Sequence, residues 1–316
     1  MSDDRHAPKD HHYVPAGYLR AWEHGEASKL IEFKRPIPDR LASRTVKAKS
    51  TGFERHLYSI ETGEVGKLDH SFESNYLKYI DEGAAVLLQR MRESDLTFSH
   101  DERITWARFV LSLCIRTPED FSLHREFFEG YWGEPDPVLE ARYQDERPPE
   151  YPETLSQFLQ TVPEHERDKV RLQSLARFLN ASDTLKLIVG LRWHVKHFSA
   201  ADLTLMTSDR PIVSNFRLGF PEGFLFLPIA PDKLFVARAG PALSLGPILG
   251  GTDNQAVKFA NRAVVRQARR YVWAASQTHE KFVSRWMGTI TTKSMPEMLV
   301  EAMNNGVSDL AKPTSM

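Results

Sequence analysis

The stretch HHYVPAGYLRAW, residues 11–22, constrains the fold more than any other segment of the chain. Tyr18, Leu19 and Trp22 recur three or four residues apart, which is the spacing of side chains on one face of a helix. Pro15 stands where the first turn of that helix would begin, a position that tolerates proline. The stretch therefore predicts a pair of histidines placed directly before a short helix that is buried on one side.

The composition is that of a folded chain with an ordinary core. Of the 316 residues, 41% are hydrophobic and 26% are charged, which is enough apolar material for one large domain or two modest ones. The 41 basic residues nearly balance the 42 acidic residues, so the net charge of -1 gives no strong overall attraction to nucleic acid or to a membrane. Any attraction to an anion must therefore be local.

Cysteine usage and the N-terminus both favour a cytoplasmic protein. Cys114 is the only cysteine, so a disulfide within the chain and a cysteine-based zinc site are excluded. Residues 1–9 are polar and lack the apolar core of a secretory signal, and no run of about 18 apolar residues occurs anywhere. We therefore expect no membrane partner, and the oligomeric state stays open.

The chain is expected to form a single domain over residues 10–304. Residues 1–9 are predicted to be a disordered tail, and residues 305–316 a loose one. Residues 133–152 are crowded with proline and acidic side chains, which indicates a surface connection and the best position for an internal boundary.

Two short segments of strand-forming composition, residues 29–33 and 52–60, predict a small N-terminal sheet. Helical spacing and N-cap signals then continue through the middle of the chain. The predicted helices cover residues 71–93, a segment that begins at Ser99 with Glu102 as its capping-box partner, a segment that begins at Thr117 and Pro118, and two or three segments within 153–190.

Strand composition returns after residue 190 and predicts one antiparallel sheet. Its strands are residues 192–198, 203–209, 224–230 and 233–238. A last helix, capped by Thr252 or Asp253, is expected to extend to about Arg270 and to lead into a strand at 271–276. The predicted fold class is α+β, with a small N-terminal sheet, a helical middle, and a C-terminal antiparallel sheet with a covering helix.

His11 and His12 are the first candidates for a functional site. A helix N-terminus favours an anion through its unpaired N–H groups and its dipole, so imidazoles beside it can bind or act on a phosphate or a carboxylate. The structural alternative is that both histidines belong to an extended strand, one bonded to the backbone and the other exposed. The sequence leaves both interpretations open.

Several other polar residues stand in apolar surroundings. Arg116 falls on the apolar arc of its helix, Asn261 lies within the apolar stripe of the last helix, and Asp209 follows an apolar strand. As functional groups, Arg116 would clamp an anion and Asn261 would contact a ligand. Asp209, supported by Ser208, would orient a histidine or hold a metal. As structural groups, Arg116 would cap a helix end, Asn261 would tie two elements together and Asp209 would cap a turn. Glu73 is explained by the helix dipole.

The last helix also carries a run of arginines opposite its apolar stripe. The run consists of Arg262, Arg266, Arg269 and Arg270. Such a run is usually a solvated face, although it can contact nucleic-acid phosphates.

Read with other pieces of the chain, the HHYVP stretch resembles the bacterial family DUF4238, a domain of unknown function. The further pieces are Glu73 early in a helix, Arg116-Thr117-Pro118, Thr207-Ser208-Asp209 with Pro211, and Asn261 ahead of Ala268-Arg269-Arg270-Tyr271-Val272. This resemblance spans residues 10–275 and implies no particular activity. Residues 11–15 also resemble the first strand of HNH nucleases, and that resemblance implies a metal ligand and a general base for the histidine pair.

The first functional hypothesis is a hydrolase that attacks a phosphodiester or another anionic substrate. His12 is its general base, and Arg116 stabilises the developing negative charge. His11 and Asp209 orient the base or hold a metal ion, for which a divalent cation is the candidate cofactor. The substrate-binding candidates are Tyr13, Arg20, Ser208, Asn261 and Arg269.

Two alternatives belong to other classes of protein. One is a non-catalytic module that binds an anionic small molecule or nucleic acid, and the other is a structural or interaction protein. The glycine patterns of serine hydrolases and of P-loop or Rossmann enzymes are absent, which disfavours those classes. The enzyme hypothesis further requires the N-terminal segment to pack against the C-terminal half, so that His11 and His12 lie near Asp209 and Asn261.

Overall fold

The computed structural model describes residues 9–37, 40–64, 66–133, 137–291 and 293–304. The predicted tails therefore lie outside the described residues, except for residue 9. Within them the protein is α+β as predicted, with small N-terminal sheets, a helical middle and a C-terminal antiparallel sheet. None of the described helices is both long and apolar enough to span a lipid bilayer.

The N-terminal strands divide among three sheets. They are β1 (Asp10–His12), β2 (Leu30–Ile37), β3 (Arg40–Val46), β4 (Phe53–Arg55), β5 (Ile60–Glu61) and β6 (Leu68–Asp69). Strand β1 pairs with β4, and β5 pairs with β6. The two segments expected to share a sheet are thus separated, because β2 forms a hairpin with β3, a strand that the sequence analysis did not identify.

Helices fill the middle of the chain. They are α1 (Ala16–Leu19), α2 (Lys78–Arg92), α3 (His100–Leu113), α4 (Pro118–Gly133), α5 (Pro137–Glu146), α6 (Leu155–Thr161), α7 (Glu164–Ala181) and α8 (Asp183–Gly190). A π-helical turn, Phe72–Leu77, leads into α2. The predicted capping box of Ser99 and Glu102 is confirmed at the start of α3. The local signals therefore placed most helix starts correctly.

Helix α5 is a correction to the sequence analysis, which interpreted residues 133–152 as a connection without structure of its own. Pro137 is the first residue of α5. Proline is tolerated there because the N–H that it lacks would have no helical partner. The proline-rich composition of the segment thus marks the limits of a helix.

The described part of the C-terminal half adds six strands and four helices. They are β7 (Arg192–His197), β8 (Thr207–Ser208), β9 (Val213–Ser214), β10 (Phe224–Ala230), β11 (Lys233–Arg238), α9 (Gly246–Leu249), α10 (Asp253–Arg266), β12 (Val272–Ala274), α11 (Glu280–Trp286) and α12 (Met295–Asn304). One antiparallel sheet has the order β7-β11-β10-β9, and a second has the order β3-β2-β12-β8. The segment 203–209 therefore contributes to a different sheet from the one expected, because β8 pairs with β12.

The second of these sheets joins the two ends of the chain, since β12 lies between β2 and β8. The short α1 helix and the 3₁₀ helix that follows it, Arg20–Trp22, reinforce the junction through their buried side chains. The Tyr18 hydroxyl lies 2.7 Å from Thr207 Oγ1 and donates to the Pro228 carbonyl, while Trp22 Nε1 donates to the Leu205 carbonyl at 2.8 Å. The predicted packing of the N-terminal segment against the C-terminal half is confirmed.

Candidate active site

Strand β1 turns its two histidines to opposite faces, as the alternation of a strand requires. His11 is fully buried and stacks on Tyr58 with ring centroids 5.7 Å apart. Its Nδ1 accepts the Tyr58 backbone N–H at 3.0 Å, and its Nε2 lies 3.2 Å from His70 Nδ1. His11 therefore ties β1 to the segment that follows β4.

His12 faces the other way, into a cavity of about 460 Å³. Its Nε2 atom is buried and has no hydrogen-bond partner. Burial lowers the pKa of His12 below 6.5, against a smaller opposing effect of its hydrogen bond with the Lys49 backbone. The imidazole is therefore neutral at pH 7, and it carries a nitrogen without a partner beside the cavity.

Glu73 lines the same cavity from the π-helical turn before α2. Burial raises the pKa of this carboxyl group to about 7, while Arg116 and the His12 backbone N–H lower it. Its Oε2 atom is buried and has no hydrogen-bond partner. Single π-helical turns occur often at functional sites. Glu73 can therefore hold or release a proton near neutral pH beside a neutral histidine.

A buried ion pair forms one side of this cavity. The Arg116 guanidinium donates to the two Asp81 carboxylate oxygens at 2.6 and 3.0 Å. Its Nε and Nη2 atoms also donate to Ser112 Oγ at 3.0 and 2.7 Å. The Arg116 side chain is only 1% exposed, whereas Asp81 lines the cavity. Arg116 therefore acts on the cavity through Asp81.

The cavity also has cationic side chains around its polar groups. Arg20 and Lys78 line it and are exposed to solvent. Lys78 Nζ lies 3.8 Å from Glu82, a distance that leaves most of its hydrogen-bonding capacity unused. The same lining contains the carboxyl groups of Glu73, Asp81 and Glu82, so attraction for an anion is confined to the neighbourhood of the two cations.

Asp209 has a different environment: it follows β8 and contacts the turn between α10 and β12. It is buried, and its carboxylate oxygens accept backbone N–H groups of Arg269 at 3.2 Å and Arg270 at 2.8 Å. Burial raises the pKa of Asp209 to about 6, although these hydrogen bonds lower it. Burial raises the pKa of Tyr13, and the nearby Asp209 raises it further. Tyr13 is thus the residue of the HHYVP stretch that is electrostatically coupled to Asp209.

The other predicted site residues of the C-terminal half connect elements of the fold. Asn261 Oδ1 accepts the Met206 backbone N–H at 2.7 Å, and its amide donates to the Thr204 carbonyl at 2.9 Å. Ser208 Oγ bonds to the backbone of Arg210 and to the Val264 carbonyl.

Arg269, the last of these residues, donates to Glu297 at 2.9 Å. Seven of the nine predicted site residues thus separate into two groups, and His11 and Tyr13 belong to neither. His12, Arg20 and, through Asp81, Arg116 belong to the cavity. The second group lies along α10 and the turn that follows it, and consists of Ser208, Asp209, Asn261 and Arg269.

Asp81 is a cavity residue outside the sequence-based prediction, although the sequence carries a signal for it. Asp81 stands three and seven residues before the buried Ala84 and Leu88, in the register of the apolar face of α2. Glu73 was noticed but attributed to the helix dipole alone. Among the described residues, no group of three or more histidine, cysteine, aspartate or glutamate side chains is arranged to hold a metal ion.

These features define the class of the protein. It is an α+β chain in which the first strand and the first long helix line a cavity that holds a neutral histidine and a carboxyl group of raised pKa. The chain matches the family described as "Protein of unknown function (DUF4238)" over residues 10–278, and it belongs to that family. No curated protein and no solved structure matches the chain.

Proposed function

We propose that the protein is a hydrolase of phosphate esters, with His12 as the general base and Glu73 as the general acid. The observation that carries the proposal is the pair of buried, unpartnered atoms, His12 Nε2 and Glu73 Oε2, in one cavity. Buried polar atoms in folded proteins almost always have a partner, so two unpartnered ones on residues that line one cavity leave a place for a bound water or substrate.

The two groups have complementary protonation states for this reaction. A hydrogen bond from His12 Nδ1–H to the Lys49 backbone places the lone pair of the neutral ring on Nε2, which can take a proton from water. The resulting hydroxide oxygen forms a bond to phosphorus as the ester bond breaks. Glu73 gives its proton to the leaving oxygen, and the proton on His12 then returns to Glu73. One water is consumed for each ester bond broken.

Two of the charged groups that line the cavity, Arg20 and Lys78, support an anionic substrate. Arg20 and Lys78 stand where they can bind phosphate oxygens, since both are exposed cations that line the cavity. Arg116 keeps Asp81 in a fixed position, and Asp81 raises the pKa of Glu73. Arg116 is thus a positioning residue in this proposal, and the cations that meet the substrate are those at the surface.

The experiment measures cleavage of single- and double-stranded DNA and RNA, and of bis(p-nitrophenyl) phosphate, with Mg²⁺, Mn²⁺ or EDTA. We expect His12→Ala to lower the rate by about 10²–10⁴-fold, the usual contribution of a general base. The matched control is His194→Ala, which removes an exposed histidine from β7. Thermal denaturation confirms that each variant is folded.

Two results would contradict the proposal: no cleavage by the wild-type protein under any condition, or full activity in folded His12→Ala. In the first case, titration with inorganic phosphate tests the second candidate function, anion binding without turnover. The exposure of Arg20 and Lys78 in the cavity favours it. Binding that is lost in Arg20→Ala would establish that function.

A further inference from the structure

Arginines of α10 and α11 surround one indole ring on the surface. The guanidinium carbons of Arg262, Arg266 and Arg285 lie 4.1, 5.6 and 5.1 Å from the centroid of the Trp286 ring. Lys258 precedes Arg262 by four residues on α10, and Lys281 precedes Arg285 by four on α11, so each lies on the same helix face as its arginine. We call these six residues the Trp286 patch.

The cations of the patch lack acidic partners. Among the described residues, no carboxylate forms an ion pair with Lys258, Arg262, Arg266, Lys281 or Arg285. The arginines that follow on the same segment differ: Arg269 pairs with Glu297, and Arg270 pairs with Glu54 and Glu119. In the run of arginines at residues 262–270, Arg269 and Arg270 are therefore paired with carboxylates, whereas Arg262 and Arg266 form no ion pair with a described residue.

The indole ring explains how the cations can stay close together. An aromatic face attracts a guanidinium group through its quadrupole and holds it in place without neutralising its charge. Arg266 Nε donates to Thr289 Oγ1 at 3.3 Å, and the other N–H donors of the three guanidinium groups can meet an external anion. Five cations on two adjacent helices, on a chain of net charge -1, make a local concentration of positive charge.

We infer that the Trp286 patch binds the phosphate backbone of a nucleic acid. Phosphate oxygens match the paired donors of arginine, and several clustered cations suit a polymer with regularly repeated phosphates. A membrane surface is the weaker match, because helices that bind lipid expose apolar residues beside their cations. Val283, one turn before Trp286 on α11, and Met287, directly after that helix, are buried in the core instead.

This inference does not depend on the proposed hydrolase. The experiment measures fluorescence anisotropy of labelled 20-nucleotide single strands and of a 20-base-pair duplex, at several salt concentrations. The variant is Arg262→Ala/Arg285→Ala. The control is Arg142→Ala/Arg177→Ala, which removes the same charge from exposed positions on α5 and α7.

We expect the patch variant to bind a single strand about tenfold more weakly, and its salt dependence to be smaller by about 1.4 in the slope of log K against log salt. The control variant should bind like the wild-type protein. Equal binding by the two variants, no binding by the wild-type protein, or binding to phosphatidylserine vesicles but not to oligonucleotides would overturn the inference. Loss of binding together with unchanged cleavage of the small phosphodiester would separate this surface from the catalytic proposal.

Discussion

Glu73 and Asp209 are two carboxyl groups with the same electrostatic signature and different surroundings. Burial raises the pKa of both, to about 7 for Glu73 and about 6 for Asp209. Both oxygens of Asp209 accept backbone N–H groups, from Arg269 and Arg270, whereas Glu73 leaves one buried oxygen free beside a cavity. The raised pKa reports burial in both places, and only the free oxygen points to a ligand.

The two histidines of β1 repeat this contrast at shorter range. His11 uses its ring nitrogens within the protein, and His12 keeps Nε2 free. Neighbouring residues of the same type therefore have different roles, because a strand turns them to opposite faces. The comparison predicts that changes around Asp209 affect mainly stability, while changes at Glu73 and His12 affect mainly activity.

The largest expected effect on stability comes from the ion pair that fixes the cavity wall. Asp81→Ala leaves the Arg116 guanidinium buried without its carboxylate partner. We expect the free energy of unfolding to fall by about 3–4 kcal/mol, as for other buried pairs that lose one member. Urea denaturation at pH 7 measures it.

The control for that change is Glu146→Ala, which removes one member of the exposed pair between Arg142 and Glu146. Exposed pairs contribute about 0–1 kcal/mol, so this variant should unfold close to the wild-type midpoint. A similar loss in both variants would show that burial does not set the strength of the Asp81–Arg116 interaction.

A smaller loss is expected at the second carboxyl group. Asp209→Ala leaves the backbone N–H groups of Arg269 and Arg270 without acceptors at a buried turn. We expect a loss of about 2–3 kcal/mol, since each unsatisfied buried donor costs about 1–3 kcal/mol and removal of the buried carboxylate offsets part of that cost. Asp202→Ala, at an exposed position, is the control and should change stability by about 0.5 kcal/mol or less.

The Asp209→Ala variant also tests the division between the cavity and the α10–β12 turn. Activity per folded molecule of Asp209→Ala should equal that of the wild-type protein, because Asp209 braces the α10–β12 turn and lies outside the cavity lining. A loss of turnover comparable to that of His12→Ala, without unfolding, would merge the two regions into one site.

The smallest expected effect is a gain in stability, in Glu73→Gln. The folded-state pKa of about 7 exceeds the ordinary value of 4.5, so the stability associated with this group is fully present below pH 4.5 and is lost as the pH rises to 7. We expect Glu73→Gln to be more stable than the wild-type protein by on the order of 2 kcal/mol at pH 8, and equally stable near pH 4.5. Urea denaturation at both pH values measures the difference.

The proposed function adds a pH profile to that measurement. The rate should rise as His12 loses its proton below pH 6.5 and should fall as Glu73 loses its proton near pH 7. Glu73→Gln should remove the fall on the alkaline side while lowering the maximum rate.

For the stability measurement on Glu73→Gln, a difference from the wild-type protein that is the same at every pH would show that desolvation of Glu73 is not its cause.

Local signals predicted much of the fold. The capping boxes at Ser99 and Thr252 begin α3 and α10 where the sequence placed them, because side chains and backbone within four residues make those hydrogen bonds. Helix α10 ends at Arg266, four residues before the predicted end. The turn after it is held by Asp209, which is distant in sequence and so gives no local signal.

The candidate site was predicted in part. His12 was found because adjacent histidines before a helix are an unusual pattern, and Arg116 because its position on an apolar arc needs an explanation. Neither pattern tells which partner each residue has. Arg116 meets Asp81, 35 residues away, and Asp209 meets a turn about 60 residues away.

Spacing and contacts within a few residues were enough to predict the α+β class, most helix starts and the position of the histidine pair. Three features appear only in the folded chain: β12 pairs with β2, His11 is tied to Tyr58, and His12 and Glu73 line one cavity. They could not be predicted because hydrogen-bond satisfaction and burial depend on segments distant in sequence. Those contacts decide which polar groups remain free for chemistry.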